Sequence, residues 1–220
     1  MALESVTELE STNWRIKEWF PHLSEDAISQ LRMFHAELLA FNRKINLISS
    51  RTESNSDLIH FADCVLGSEL ILKNCQGSEI YDFGSGNGLP GIILAILSPN
   101  YRIHLVESDA RKAEFMKYMG NKLKLRNLVV HNCRIEDLPE GSVDFVVSRG
   151  LASVQKSISL ARRACRKNAR YFHFKGDSWV REVAEIPSQM CRFWIPMHLG
   201  DYSLPVGNTR LSIVVTKKLS

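Results

Sequence analysis

Asp82, Gly84, Gly86, Gly88 and Gly91 stand within ten residues of one another, between the apolar runs Ile80-Tyr81 and Ile92-Ile93-Leu94. Glycines so placed remove the Cβ atoms that would hold a ligand off the main chain, and they permit the positive φ of a tight turn. A second chemical group, Glu107, ends the next apolar run about 20 residues later, where a carboxylate can hold a ribose diol. The spacing departs from G-x-G-x-x-G, because Leu89 takes the place of the third glycine and the acid Asp82 precedes the first by two. Those departures disfavour a pyrophosphate. They suit a ligand with a cationic amino-acid part and an adenosine, and S-adenosylmethionine fits that description. A purely structural strand-to-helix turn is the bland alternative, and it would need neither four glycines nor Glu107.

Further candidates lie on either side. His60 and Asp63 are three apart on an expected helix and so face the same way, a spacing more often seen in surface hydrogen bonds than in catalytic pairs. Ile135 and Glu136 follow a third strand, where an adenine edge would meet backbone and a carboxylate. Arg149 ends a fourth strand and Lys175 a fifth, at the carboxyl ends where open α/β sheets place ligands. The elements that must position these residues alternate. Strands are expected at 80–83, 102–107, 128–130, 143–147 and 169–174, with helices between them at 92–97, 113–123, from Ser153, and at 177–186. Two more strands, 190–197 and 210–217, should form a hairpin completing the sheet. Before the glycine turn the pattern is helical: residues 1–23 read as a short acidic helix closed by Pro21. A long amphipathic helix then runs from the N-cap Ser24 to about Arg43, and another from Ser56 to Leu72. The expected fold is α/β and Rossmann-like, with a seven-stranded, mostly parallel sheet (76–220) under an N-terminal helical cap (1–75).

With 220 residues, 45% hydrophobic and 24% charged, the chain has ordinary globular composition. No run approaches the roughly 18 apolar residues of a membrane span. The N-terminus lacks a secretion-signal pattern, so a cytoplasmic protein is expected. The five cysteines are spread out and never paired as C-x-x-C, which suggests neither a zinc site nor a disulfide framework. A net charge of +4 hides an asymmetry: residues 151–220 carry 12 basic and 4 acidic side chains. A polyanion is the obvious partner for that third of the chain, and Arg163, Arg166 and Lys167 are the expected contact.

Asn42-x-x-x-Asn46-Leu47, His60-x-x-Asp63, the glycine turn ending Gly88-Leu89-Pro90-Gly91, Arg134-Ile135-Glu136, Ser148-Arg149 and Lys175-Gly176 occur in one order and spacing. In this the chain resembles the bacterial small-subunit (16S) ribosomal RNA guanine-N7 methyltransferase family, also called glucose-inhibited division protein B, over about residues 30 to 217. The resemblance implies a class I methyltransferase fold and S-adenosylmethionine as cofactor. With Asp82, it implies a cofactor site formed by Gly84, Gly86, Leu89, Glu107, Ile135, Glu136 and Arg149. It further implies 16S ribosomal RNA, or the small-subunit particle, as partner of a monomeric enzyme that needs no metal. Asn42, His60, Lys175 and Arg210 are the RNA-binding candidates. Departures from the family pattern are Cys64, where Ser or Thr is usual, Asn87, where Pro is common, and Leu211, where His commonly follows the arginine.

Guanine N7 presents an in-plane lone pair and loses no proton on methylation. Catalysis would therefore rest on positioning, with Arg149, Lys175 and Arg210 as positioning candidates and no acid-base residue. No Asn-Pro-Pro-aromatic motif follows the fourth strand and no Pro-Cys pair offers a nucleophile. The competing readings are a methyltransferase for a small molecule or protein, which the basic C-terminal third opposes, and a non-catalytic cofactor- or RNA-binding module.

Overall fold

The computed structural model describes residues 13–220, and the acidic stretch over residues 1–12 lies outside the described residues. Of the helix expected there, the described part is one turn, α1 (Ile16–Trp19). Next comes α2 (Glu25–Ile45), where Ser24 Oγ accepts the Ala27 N–H and Glu25 and Asp26 face the positive helix start. Its 3.6-residue stripe of Ile28, Leu31, Phe34 and Leu38 is buried. Left-handed Asn46 stops the helix. The second cap helix does not begin at a Ser56 cap as expected. A 3-10 turn (Ser50–Asn55) leads into a wide π turn (Asp57–Ala62), which continues as α3 (Asp63–Leu72). The Ser56 hydroxyl instead donates to the Glu53 carbonyl at 2.7 Å and meets His35 Nε2 at 2.7 Å. Buried Asp57 takes over at the turn, accepting Leu58 N–H and a two-pronged contact from Arg15.

The remaining chain alternates: β1 (Glu79–Phe83), α4 (Gly91–Leu97), β2 (Arg102–Val106), α5 (Ala110–Lys122), β3 (Leu128–His131), β4 (Val143–Arg149), α6 (Val154–Ala161), β5 (Cys165–Lys175), α7 (Trp179–Ala184), α8 (Ser188–Cys191), β6 (Trp194–Ser203) and β7 (Arg210–Lys218). The seven strands lie in the order β3-β2-β1-β4-β5-β7-β6, all parallel except β7, which runs against both its neighbours. Strand order reverses between β1 and β4, and such a switch point opens a crevice at the carboxyl ends of the strands. The expected strand over 190–197 begins late, because Met190 and Cys191 belong to α8 and pairing starts at Trp194.

Cap and sheet share one core. Leu31, Phe34, Phe61 and Val65 of the cap pack in one cluster with Ile80, Ile92, Leu105 and Phe172 of the sheet layer. Helix α4 is apolar all round because it lies inside that layer, with Ile92, Ile93 and Leu94 fully buried. Truncating Phe34 to alanine would cost about 3–5 kcal/mol by the usual toll for a buried phenylalanine. The opposite sheet face carries a second cluster of Phe83, Val106, Val146, Ile158, Tyr171 and Trp194. Among the described residues no helix is long and apolar enough to cross a membrane, and no group of three or more His, Cys, Asp or Glu could hold a metal ion.

Candidate active site

At the switch point a cavity of about 520 Å³ opens, lined by the glycine turn, the Glu107 loop, residues 133–136 and the Arg149–Leu151 segment. That volume lies within the roughly 300–1,000 Å³ of small-molecule sites. The turn is fastened from below. Ser85 Oγ donates to the Asp82 carbonyl at 2.7 Å and accepts the Val106 N–H at 3.0 Å, which ties β1 to β2 beneath the glycines. Gly86 has φ 53°, and a Cβ built on it would meet nothing closer than the Gly84 carbonyl at 3.7 Å. No neighbour demands its bareness, so glycine there serves the left-handed backbone and leaves the cavity wall clear. Gly91 is the opposite case: its Cβ would press within 2.7 Å of Asp82 Oδ2, so the close approach of α4 to β1 requires glycine.

Of the cofactor candidates, Gly84, Gly86, Leu89, Glu107, Ile135, Glu136 and Arg149 all line this cavity. Asp82 does not. It is buried under the turn, where Oδ2 accepts the Gly91 N–H at 3.0 Å and Oδ1 has no partner. Burial pushes its carboxyl up to about 7, against the pull of the Gly91 hydrogen bond and the Arg149 charge. Glu107 is held by its own loop: Oε2 accepts Gly86 N–H and Oε1 accepts Asp109 N–H, each at 2.8 Å. Each oxygen keeps a second lone pair, so the carboxylate is oriented and still able to accept a diol. The donor set fits S-adenosylmethionine, with a fixed carboxylate for the ribose, Ile135 and Leu160 as apolar walls for the adenine, and a glycine turn clear of side chains.

Arg149 joins the cavity to the cap. Its Nη1 donates to Asp63 Oδ2 at 2.8 Å and to the Ile59 carbonyl at 3.3 Å, and its Nη2 donates to His60 Nδ1 at 2.8 Å. Tyr202 from β6 completes the cluster by donating to Asp63 Oδ1 at 2.6 Å. His60 and Asp63 face the same way, as their spacing predicts, but they meet through the guanidinium. A guanidinium only donates, so His60 Nδ1 is the acceptor and its proton sits on Nε2. That proton is directed at Thr52 Oγ1, 2.9 Å away, whose own hydrogen goes to the Ser49 carbonyl. Burial first, then the Arg149 charge, lowers the His60 pKa to about 3. The imidazole is neutral and fully engaged.

Three other candidates are placed differently from expectation. Asn42 is buried, with Oδ1 accepting Leu47 N–H at 2.6 Å and Ile48 N–H at 2.8 Å and its amide donating to Glu53. It shapes the loop that brings Leu47 to the cavity, and its buried side chain faces that loop. Lys175 donates to the Ala152 carbonyl at 2.9 Å and to Glu182 Oε2 at 2.7 Å, so it braces α7 rather than facing outward. Arg210 is exposed on the sheet margin, paired with Asp201, and does not line the cavity. Arg163, Arg166 and Lys167 lie at the amino end of the sheet, away from the cavity. There Arg166 pairs with Asp144 at 2.6 Å and Arg163 stands 3.9 Å from Glu140.

Sequence reasoning missed Asn87 as a clasp. Its amide donates to the Leu47 carbonyl at 3.1 Å while its Oδ1 accepts Leu89 N–H at 3.1 Å, which fastens the cap loop to the glycine turn. Its departure from the usual proline was the available signal. Tyr202 carried none.

The family described as rRNA small subunit methyltransferase G matches residues 27–193. The chain is 45% identical to ribosomal RNA small subunit methyltransferase G 3 of Bdellovibrio bacteriovorus, covering 94% of each chain. It is 33% identical to ribosomal RNA small subunit methyltransferase G of a Ruegeria species, over 73% of this chain and 78% of that one. Among solved structures, a SAM dependent methyltransferase from Aquifex aeolicus covers 68% of this chain and 88% of its own, at 17% identity and a TM-score of 0.50, a likeness of fold.

Proposed function

Because the chain belongs to the rRNA small subunit methyltransferase G family, we propose that it transfers the methyl group of S-adenosylmethionine to N7 of a guanine in 16S ribosomal RNA. Family and fold together make it an S-adenosylmethionine-dependent rRNA methyltransferase. The choice of N7 is supported by one observation: among the described residues no histidine lines the cavity, and His60 behind it is neutral with both ring nitrogens engaged. The carboxylates that do line it, Glu107 and Glu136, are taken up in this reading by the cofactor. An exocyclic amine or ring amide would have to lose a proton during methylation, whereas N7 would not.

When bound, S-adenosylmethionine supplies a sulfonium methyl, which N7 takes through its lone pair as the carbon–sulfur bond breaks and the positive charge passes to the guanine. The protein's part in this reading is orientation. Glu107 would hold the ribose, Ile135 and Leu160 would offer the adenine apolar walls, and Leu47 and Leu151 would help exclude water. The Arg149–Asp63–His60 cluster fixes the cap against the carboxyl end of β4. The substrate is small-subunit RNA, and its site of action is the cytoplasm. N7-methylguanine should be mapped in small-subunit RNA from cells with and without the protein. One N7 mark lost with the protein and restored by purified enzyme is the expected result. A mark on an amine nitrogen would overturn the base-free chemistry, and unchanged rRNA methylation would overturn the substrate.

A further inference from the structure

A stacked pair of rings stands on the sheet margin beyond the cavity. Trp179, the first residue of α7, lies parallel to His198 of β6, with ring centroids 4.9 Å apart and planes at 4°. The other stacked pairs among the described residues combine buried or half-buried rings, whereas His198 is exposed. Two arrangements hold this pair in place. His198 Nε2 donates to Asp201 Oδ1 at 2.8 Å, and Asp201 also accepts from Ser212 at 2.6 Å and from Arg210. These three donors, Ser212 first, hold the Asp201 carboxyl well below its ordinary range, so it stays ionised and fixes the imidazole plane. On the other side, Glu182 pins α7 by accepting Lys175 at 2.7 Å and the Val154 N–H at 3.0 Å.

The position matters as much as the rings. Lys175, Ser212 and Asp201 form one row across β5, β7 and β6, at the carboxyl end of the parallel strands that also holds the cavity. Lys175 reaches the Ala152 carbonyl, next to the cavity-lining Leu151. A rigid path therefore runs from the cavity rim through Lys175 and Glu182 to Trp179 and His198. Arg210, 69% exposed, projects beside them.

On the reading of the chain as an rRNA methyltransferase, we propose that Trp179 and His198 form a stacking platform for an unpaired RNA base flanking the target nucleotide, with Arg210 on the adjacent phosphate. Single-stranded RNA is recognised by bases splayed onto aromatic and histidine planes, with cationic side chains on the backbone. A parallel ring pair gives a base a flat, preordered face at little entropic cost, and the exposed Arg210 guanidinium beside it attracts the strand's phosphate.

The test measures binding of wild type, Trp179→Ala, Trp179→Phe, His198→Ala and Arg210→Ala to a small-subunit rRNA fragment and to an unstructured oligoadenylate, across salt, with S-adenosylmethionine affinity and melting temperature alongside. Loss of a stacked base is expected to weaken RNA binding roughly 5- to 150-fold for Trp179→Ala. Its salt slope and cofactor affinity should stay unchanged, and Trp179→Phe should recover most of the loss. Arg210→Ala should lower the salt slope by about one. If wild type binds and methylates the RNA while the two alanine ring variants bind equally well, the platform is wrong and the methyltransferase reading stands. If wild type binds neither RNA, both fall.

Discussion

Replacing Asp82 by asparagine should stabilise the protein, and the gain should grow with pH. The carboxyl is buried under the glycine turn with one oxygen unpartnered, and burial raises its pKa from 3.8 to about 7. An acid raised in this way holds its proton in the folded state after the unfolded chain has lost it. Its contribution to stability therefore falls as pH rises from about 4 to about 7 and is flat above. At about 1.4 kcal/mol per pH unit the whole effect is about 4 kcal/mol, of which about 2 kcal/mol accrues between pH 5.5 and the folded pKa. Asparagine keeps an oxygen for the Gly91 N–H and has nothing to ionise. The advantage of Asp82→Asn over wild type should then be larger by about 2 kcal/mol at pH 8.5 than at pH 5.5. For a domain of this size that corresponds to roughly 4–8 °C in melting temperature. Melting both proteins by circular dichroism across that range, without cofactor, gives the comparison. A difference that stays constant with pH would show that Asp82 is ionised throughout and that the orphaned oxygen finds a partner.

Glu107→Ala should weaken S-adenosylmethionine binding by about 1.5–3 kcal/mol, the range for hydrogen bonds to a charged group, and it also frees the Gly86 and Asp109 N–H groups. Calorimetric titration with the fold intact checks it, and unchanged affinity would place the ribose elsewhere. With the His60 pKa lowered to about 3, the single-turnover methylation rate should stay flat from about pH 6 to 8.5, and His60→Gln should keep that flatness even at a reduced rate. A wild-type rate rising tenfold per pH unit below about 6.5, and losing this in the variant, would count against a base-free step. Charge reversal at Arg166 and Lys167, which lie at the amino end of the sheet, should leave RNA affinity within about twofold, whereas reversal at Arg210 should weaken it and flatten its salt dependence. Equal losses from both would put RNA over the amino end.

The parts of the site legible in the sequence are those made by neighbours in the chain. Asp82 to Gly91, Glu107, and Ile135-Glu136 each sit at the end of a strand, where apolar periodicity fixes the direction and glycine or acid fixes the use. The strand order was legible only as alternation. Placing β7 between β5 and β6 depends on which strand of the tail hairpin is apolar on both faces: Ile213, Val214 and Val215 of β7 are buried, while Ile195 and Met197 of β6 remain exposed at the margin. The π turn at Asp57–Ala62 was hidden because its cause lies 42 residues away, where Arg15 supplies the charge that buried Asp57 needs.

Polar residues in recurrent motifs were the hardest to assign, and Asn42, His60, Asp63 and Lys175 share a reason. Asn42, His60 and Lys175 look like residues reserved for RNA, and Asp63 like the partner of a surface or catalytic pair, yet each is spent on groups inside the protein. Removing the Asn42 amide would orphan Leu47 N–H and Ile48 N–H, at about 1–3 kcal/mol for each buried group. Removing Asp63 would strand the Arg149 guanidinium between cap and sheet and leave the Tyr202 hydroxyl without its acceptor. Such residues act on function through placement: the Arg149 backbone ends β4 inside the cavity while its guanidinium is gripped by α3 and the π turn. Any movement of the cap therefore moves the cavity rim with it. Tyr202→Phe probes this coupling without stranding a charge. It should leave the fold close to wild type while weakening cofactor binding and lowering the turnover rate, because Arg149 and the cap-loop residue Leu47 line the cavity and shift with the cap. A variant with unchanged turnover would mean that Arg149 and Asp63 alone hold the cap.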